Sequence, residues 1–171
     1  MSFAFPSAEA LGVGFRPATD ADLPFLSRLY ASTRWEELAQ TGWPDEAKAR
    51  FLLDQFELQR VHYARHRPNA ERMVIERAGA PAGRLYIDET AERLHIVDIA
   101  LLPDSCGAGI GSAILGDLLR LAEASGRIVS IFVEKYNPAL SLYRRLGFVP
   151  VREEGAYDFM ECGPGTSFDR D

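Results

Sequence analysis

The 171-residue chain is 47% hydrophobic and 26% charged, the make-up of an ordinary globular protein, and we expect one domain over residues 1–171. Its apolar runs stop well short of the ~18 residues that cross a bilayer, and residues 1–9 lack a basic region followed by an apolar stretch, so the expected setting is the cytoplasm rather than a membrane or the cell exterior. A net charge of −6 gives no footprint for nucleic acid and tolerates a cationic partner such as an amine, while two cysteines, Cys106 and Cys162, suit neither a disulfide framework nor a metal site.

In chain order, residues 1–10 read as a loose arm and residues 12–16 as a first strand. Thr19 or Asp20 offers a side-chain oxygen to the orphan N–H groups of a helix whose apolar stripe is Leu23, Leu26, Leu29 and Tyr30. After the break at Gly42-Trp43-Pro44, a second helix starts at Asp45 and carries Phe51, Leu52, Gln55, Phe56, Leu58 and Gln59 toward Tyr63, until Arg67-Pro68-Asn69 stops it. The period then becomes alternating: strand 73–77, a turn over 79–83, strand 84–88. Residues 94–101, apolar on both faces but for His95 and Asp98, read as a central strand. A glycine-rich loop follows, then a helix with Ile110, Ala113, Ile114, Leu118, Leu121 and Ala122 on one side, ended by Gly126. Strand 128–133, a short helix over 138–146, strands 148–152 and 157–161, and a loose tail over 163–171 complete the chain. A helix joining strands 94–101 and 128–133 makes them parallel.

Gly107, Gly109 and Gly111 alternate between that strand and that helix. Glycines let a ligand approach the backbone, and the unpaired N–H groups of a first helical turn attract anions, so a phosphate or pyrophosphate is the natural guest. The glycines alone also fit a turn that binds nothing. The loop lacks the Gly-Lys-Ser/Thr ending of a P-loop, and Gly109-Ile110-Gly111-Ser112 lacks the third glycine of a dinucleotide fingerprint.

The stretch Ile99-Ala100-Leu101-Leu102-Pro103-Asp104-Ser105-Cys106-Gly107-Ala108-Gly109-Ile110-Gly111-Ser112 resembles the central motif of the GNAT superfamily of acyl-CoA-dependent N-acetyltransferases, whose pyrophosphate loop reads Arg/Gln-x-x-Gly-x-Gly/Ala. Asn137-Pro138-Ala139-Leu140-Ser141-Leu142-Tyr143-Arg144-Arg145-Leu146-Gly147-Phe148 resembles the motif that follows it, and Phe15-Arg16-Pro17-Ala18-Thr19-Asp20-Ala21-Asp22 resembles the family's opening strand and helix. The resemblance implies an α/β (α+β) fold: a mixed, mostly antiparallel sheet of six to seven strands, parallel and splayed in the middle, with about four helices. Cys106 departs from the pattern, standing where the family has Arg or Gln.

The resemblance further implies that acetyl-CoA is the co-substrate. Its pantetheine arm would pair with the backbone around Ile99, Ala100 and Leu101, and its pyrophosphate would lie on Cys106, Gly107, Ala108, Gly109, Ile110, Gly111 and Ser112. Asn137 would bond the pantetheine or cap the last helix. Tyr143 matches the general acid that protonates the departing thiolate. An amine with a pKa near 10.4 is neutral about once in a few thousand molecules at pH 7, so a base is useful. Asp98, through a burial-raised pKa, and Glu134, at the end of the parallel strand, are the candidates, and each also reads as a solvated or arginine-paired carboxylate. Trp35, Trp43 and Tyr63 are candidates for the acceptor pocket or for the core. His62 and His66, four apart on a helix, read as a solvated face. The other function in view is a catalytically silent acyl-CoA-binding module. The acceptor amine is left open, and a homodimer through the C-terminal strands is consistent with the resemblance.

Overall fold

The computed structural model describes residues 3–164. Among these, the strands are β1 (Val13–Pro17), β2 (Glu71–Arg77), β3 (Ala80–Glu89), β4 (Arg93–Leu101), β5 (Ile128–Glu134), β6 (Val149–Glu154) and β7 (Tyr157–Cys162). The helices are α1 (Pro6–Glu9), α2 (Leu23–Arg34), α3 (Asp45–His66), α4 (Ile110–Ser125) and α5 (Leu140–Arg145). The seven strands make one sheet in the order β1-β2-β3-β4-β5-β7-β6. Only β4 and β5 are parallel, as a crossover through α4 requires; the remaining neighbours are antiparallel. The mixed sheet with a parallel central pair is the architecture expected from the sequence.

Alternation along the strands sorts side chains onto two faces. Leu85 and Ile87 of β3, Leu94 and Ile96 of β4, and Val129, Ile131 and Val133 of β5 pack with Ile110, Ile114, Leu115 and Leu118 of α4. On the other face, Phe25, Leu26, Leu29 and Tyr30 of α2 and Leu52 and Phe56 of α3 close a smaller cluster over Val74. Burying each such large aliphatic side chain contributes about 1.5–3 kcal/mol. Because α3 rests only on this smaller cluster, Phe51 and Leu58 of its expected stripe are 37% and 64% exposed.

Several boundaries differ from the sequence reading, each for a local reason. The amino-terminal arm is docked rather than loose: Phe5 and Ala8 are buried, Phe5 stacks on Phe15 with centroids 4.3 Å apart, and buried Asp117 of α4 accepts from the Ser7 N–H at 3.0 Å. Burial works to raise the Asp117 carboxyl, but hydrogen bonds from Arg120, Ser7 and Ala8 prevail and hold it below the usual carboxylate value. The β2–β3 turn is only Ala78-Gly79, both with positive φ (52° and 76°), which suits a two-residue hairpin. Gly83, read as part of the turn, lies inside β3, where a Cβ would overlap the carbonyl oxygen of Ala100. A short 3-10 turn, Asp20–Asp22, precedes α2; Thr19 takes the N-cap position of that turn in a capping box with Asp22, whose carboxylate accepts from the Thr19 N–H at 2.8 Å, and the turn runs directly into α2. The expected carboxy-terminal tail lies partly outside the described residues.

Candidate functional site

The chain leaves β4 through a 3-10 turn, Pro103–Ser105, and enters α4 at Gly109. Gly107 and Gly109 hold φ at 76° and 80°, a left-handed conformation that side chains resist. A Cβ placed on Gly107, Gly109 or Gly111 would meet no atom within 4 Å. The space over the loop is therefore open, and no side chain among the described residues caps the first turn of α4. Its leading N–H groups lack intrahelical acceptors by the geometry of any helix start, which concentrates partial positive charge there. Ile110 is buried and anchors the turn, while Ala108 and Ser112 are exposed. Cys106 is exposed too, and its Sγ sits 3.7 Å from the Leu101 carbonyl oxygen, turned back to the strand that precedes the loop.

Just before this loop the parallel ladder ends. β4 and β5 pair from Arg93↔Ile128 to Ile96↔Ile131 and no further, although both strands continue, β4 to Leu101 and β5 to Glu134. The β4–β3 register slips between Tyr86↔Asp98 and Ile87↔Ile96, leaving Val97 as an extra residue. Such a bulge bends a strand and re-aims its side chains. The stretch containing Ile99, Ala100 and Leu101 thus borders a gap on the side facing β5.

Tyr143, from α5, is buried and meets Phe148 edge-on at 5.6 Å. Burial, helped by the charge of Asp98, pushes its phenol well above the usual tyrosine value, so it stays protonated at neutral pH. Asp98 is not an isolated carboxylate. Its Oδ2 accepts from Arg84 Nη2 and from the Tyr63 hydroxyl at 3.3 Å, and Arg84 is only 3% exposed. Of the two environments open from sequence, Asp98 has the arginine-paired one rather than the apolar one that motivated a raised pKa. Glu134 ends β5 with a weaker contact, the Tyr157 hydroxyl at 3.4 Å. Asn137 Oδ1 accepts from the Ala139 N–H at 2.9 Å, a local turn contact just ahead of α5, whose N-cap position is Ala139.

On the α2/α3 face lies a cavity of about 130 Å³ whose wall includes Leu26, Phe56, Tyr63, Arg72, Arg84 and Tyr86. Tyr63 is thus a cavity residue. Trp35 packs beside the α2/α3 cluster with Lys48 Nζ 5.5 Å from its ring. Trp43 lies edge-on to Phe51 and is 43% exposed, so neither tryptophan lines the cavity. His62 and His66 lie with ring centroids 4.4 Å apart and tilted by 38° on an exposed part of α3.

The family model described as "Acetyltransferase (GNAT) family" matches residues 31–148, well over half of the chain. The chain belongs to that family. No curated protein matches the sequence. Among solved structures, this GNAT domain is similar to the PaiA N-acetyltransferase of Thermoplasma acidophilum in complex with coenzyme A, at 15% identity and a TM-score of 0.64, covering 88% of this chain and 98% of that one. An acetyltransferase from Thermus thermophilus gives 19% identity and 0.63, with 90% and 97% covered. A Corynebacterium glutamicum protein described as a histone acetyltransferase and related acetyltransferase gives 21% and 0.58, with 88% and 94% covered. At these identities the likeness is one of fold.

The sequence reading of this GNAT domain singled out the loop and Tyr143 and assigned no role to Gln59, Arg72, Arg84 or Tyr86, which line the cavity. One signal was available. Arg84 and Tyr86 alternate with Leu85 and Ile87 in a central strand, where a charged residue on the second buried face needs a partner.

Proposed function

We propose that this GNAT domain is an N-acetyltransferase that moves an acetyl group from acetyl-CoA to an amine. The observation that carries the reading is the coincidence of three features: a parallel ladder that ends at Ile96↔Ile131, an uncapped glycine-lined helix start beside it, and a buried, protonated tyrosine. Open space at Gly107, Gly109 and Gly111 is what a pyrophosphate on the N–H groups through Ser112 needs. The free edge of β4 at Ile99, Ala100 and Leu101 suits an extended pantetheine amide chain. When bound, acetyl-CoA supplies the activated acyl group.

The chain's own residues then have three tasks. Tyr143 holds a proton on Oη for the departing thiolate. Asp98 keeps Arg84 and Tyr63 in place and is committed to them, so we assign the amine's proton to Glu134, directly or through water, because the only hydrogen bond its carboxylate accepts among the described residues is the long one from Tyr157. The α2/α3 face admits the amine. A cytoplasmic setting, where thiols stay reduced, suits the two free cysteines.

CoA release from acetyl-CoA, followed across a panel of amines, tests the reading. With an active amine in hand, Tyr143→Phe keeps the ring and should leave CoA affinity unchanged while turnover falls about 100-fold or more. Wild-type turnover in that variant would remove Tyr143 as the acid.

A further inference from the structure

We propose that the cavity under α2 and α3 is an anion subsite that takes a carboxylate of the acceptor, so that the acceptor is a small amino acid or a similarly acidic amine. The inference rests on the acetyltransferase reading and narrows it.

Three arginines line the cavity, Arg60, Arg72 and Arg84, with Asp20 as the acidic residue in its wall. Two of these cations are accounted for. Arg84 bonds Asp98 and Gln59, and Arg60 pairs with Glu57 at 3.0 Å and lies in the field of the exposed Asp20. Arg72 is different. Among the described residues its guanidinium makes no ion pair or hydrogen bond and has only the Tyr86 ring, 6.0 Å away. Arg72 Nη2 and Arg84 Nε are both buried without an acceptor, a costly state for charged donors. Gln59 Oε1 and Asp98 Oδ2 both accept from Arg84 Nη2, and among the described residues no acceptor lies within hydrogen-bond distance of Arg84 Nε or Arg72 Nη2. What is missing is a compact, planar acceptor of negative charge, and a carboxylate matches guanidinium donors in shape and charge.

The position gives the anion a function. Arg84 and Tyr63, in the cavity wall, both bond Asp98, and Asp98 is close enough to Tyr143 for its charge to act on that phenol. A carboxylate that meets Arg72 and Arg84 therefore sits one hydrogen-bonded step from Asp98, the β4 residue whose charge reaches Tyr143. A volume near 130 Å³ has room for the carboxylate end of an amino acid.

Calorimetric titration tests this without requiring turnover. The probes are N-acetylglycine, N-acetyl-L-alanine and N-acetyl-L-glutamate, each against its uncharged primary amide, on the CoA-saturated wild-type protein, Arg72→Gln and Arg72→Lys. At least one acid should bind 10-fold or more tightly than its amide, Arg72→Gln should erase that preference, and Arg72→Lys should restore part of it. CoA affinity, measured separately, should be equal in all three proteins. If every acid binds no better than its amide, or if Arg72→Gln keeps the preference, the carboxylate subsite is wrong. CoA binding with no carboxylate preference sinks this inference alone, whereas carboxylate preference in a protein that does not bind CoA sinks the acetyltransferase reading.

Discussion

The glycine loop before α4 and the arginine cluster beneath α3 both adjoin β4, yet they are made of different material. The loop is a backbone device: two left-handed glycines, open space over three, and an uncapped helix start. No side chain among the described residues caps it, and the exposed Cys106 stands where the motif it resembles has Arg or Gln. The cluster is a side-chain device. Arg84, Asp98, Tyr63 and Gln59 come from three separate elements and bond one another inside the protein, with only Arg84 Nε left without an acceptor among them. Removing any member leaves a buried charge or donor behind. A backbone site therefore tolerates a substitution that leaves its backbone, the open space over it and its positive potential intact, and a side-chain site does not.

Asp98→Asn should break that contrast most visibly. It leaves buried Arg84 without its counter-charge, and breaking a buried pair costs about 3 kcal/mol or more. Urea denaturation should show that loss whether or not Asp98 touches the acceptor. Unchanged stability would mean that the cluster is not the structural unit described.

A smaller and pH-restricted effect belongs to His95, buried on the same sheet face with its Nδ1 2.9 Å from Ser130 Oγ. Burial, aided by Arg67, pushes its imidazole down to about 4. The unfolded chain takes up that proton near pH 6.5. Stability from this group is thus complete above about pH 6.5 and is lost as pH falls toward 4, by about 2 kcal/mol at pH 5. Melting temperatures between pH 7 and 4.5 should fall more steeply in wild type than in His95→Leu, and parallel curves would place the acid sensitivity elsewhere.

The smallest effect is expected where the backbone does the work. Cys106→Arg adds a long cation to an exposed loop position and should tighten CoA binding by ~1 kcal/mol at most. A marked loss would show that the Cys106 contact with Leu101 shapes the loop.

The same contrast explains what could be read from the sequence. Glycine spacing after an apolar strand is local, so the loop, α4 and the parallel pair were legible, as was Tyr143 by its motif. The Arg84–Asp98 pair was not, because its partners lie 14 residues apart and meet only through the β3–β4 register. The amino-terminal arm was misread because its anchor, Asp117, is 110 residues from Ser7 and looks like a surface acid on α4. Gly83 was misread because a glycine needed for close strand approach has the same spelling as one needed for a turn.

In the proposed function, the backbone at the start of α4 holds the pyrophosphate of acyl-CoA. Gly111 tests it best, since it lacks the left-handed φ of Gly107 and Gly109 and a Cβ there meets nothing within 4 Å, so an aspartate fits without strain. Calorimetric titration with CoA should show binding in the wild type and a loss of about 100-fold or more in folded Gly111→Asp, as negative charge opposes the anion at the helix start. Equal CoA affinity in the two proteins would contradict the account.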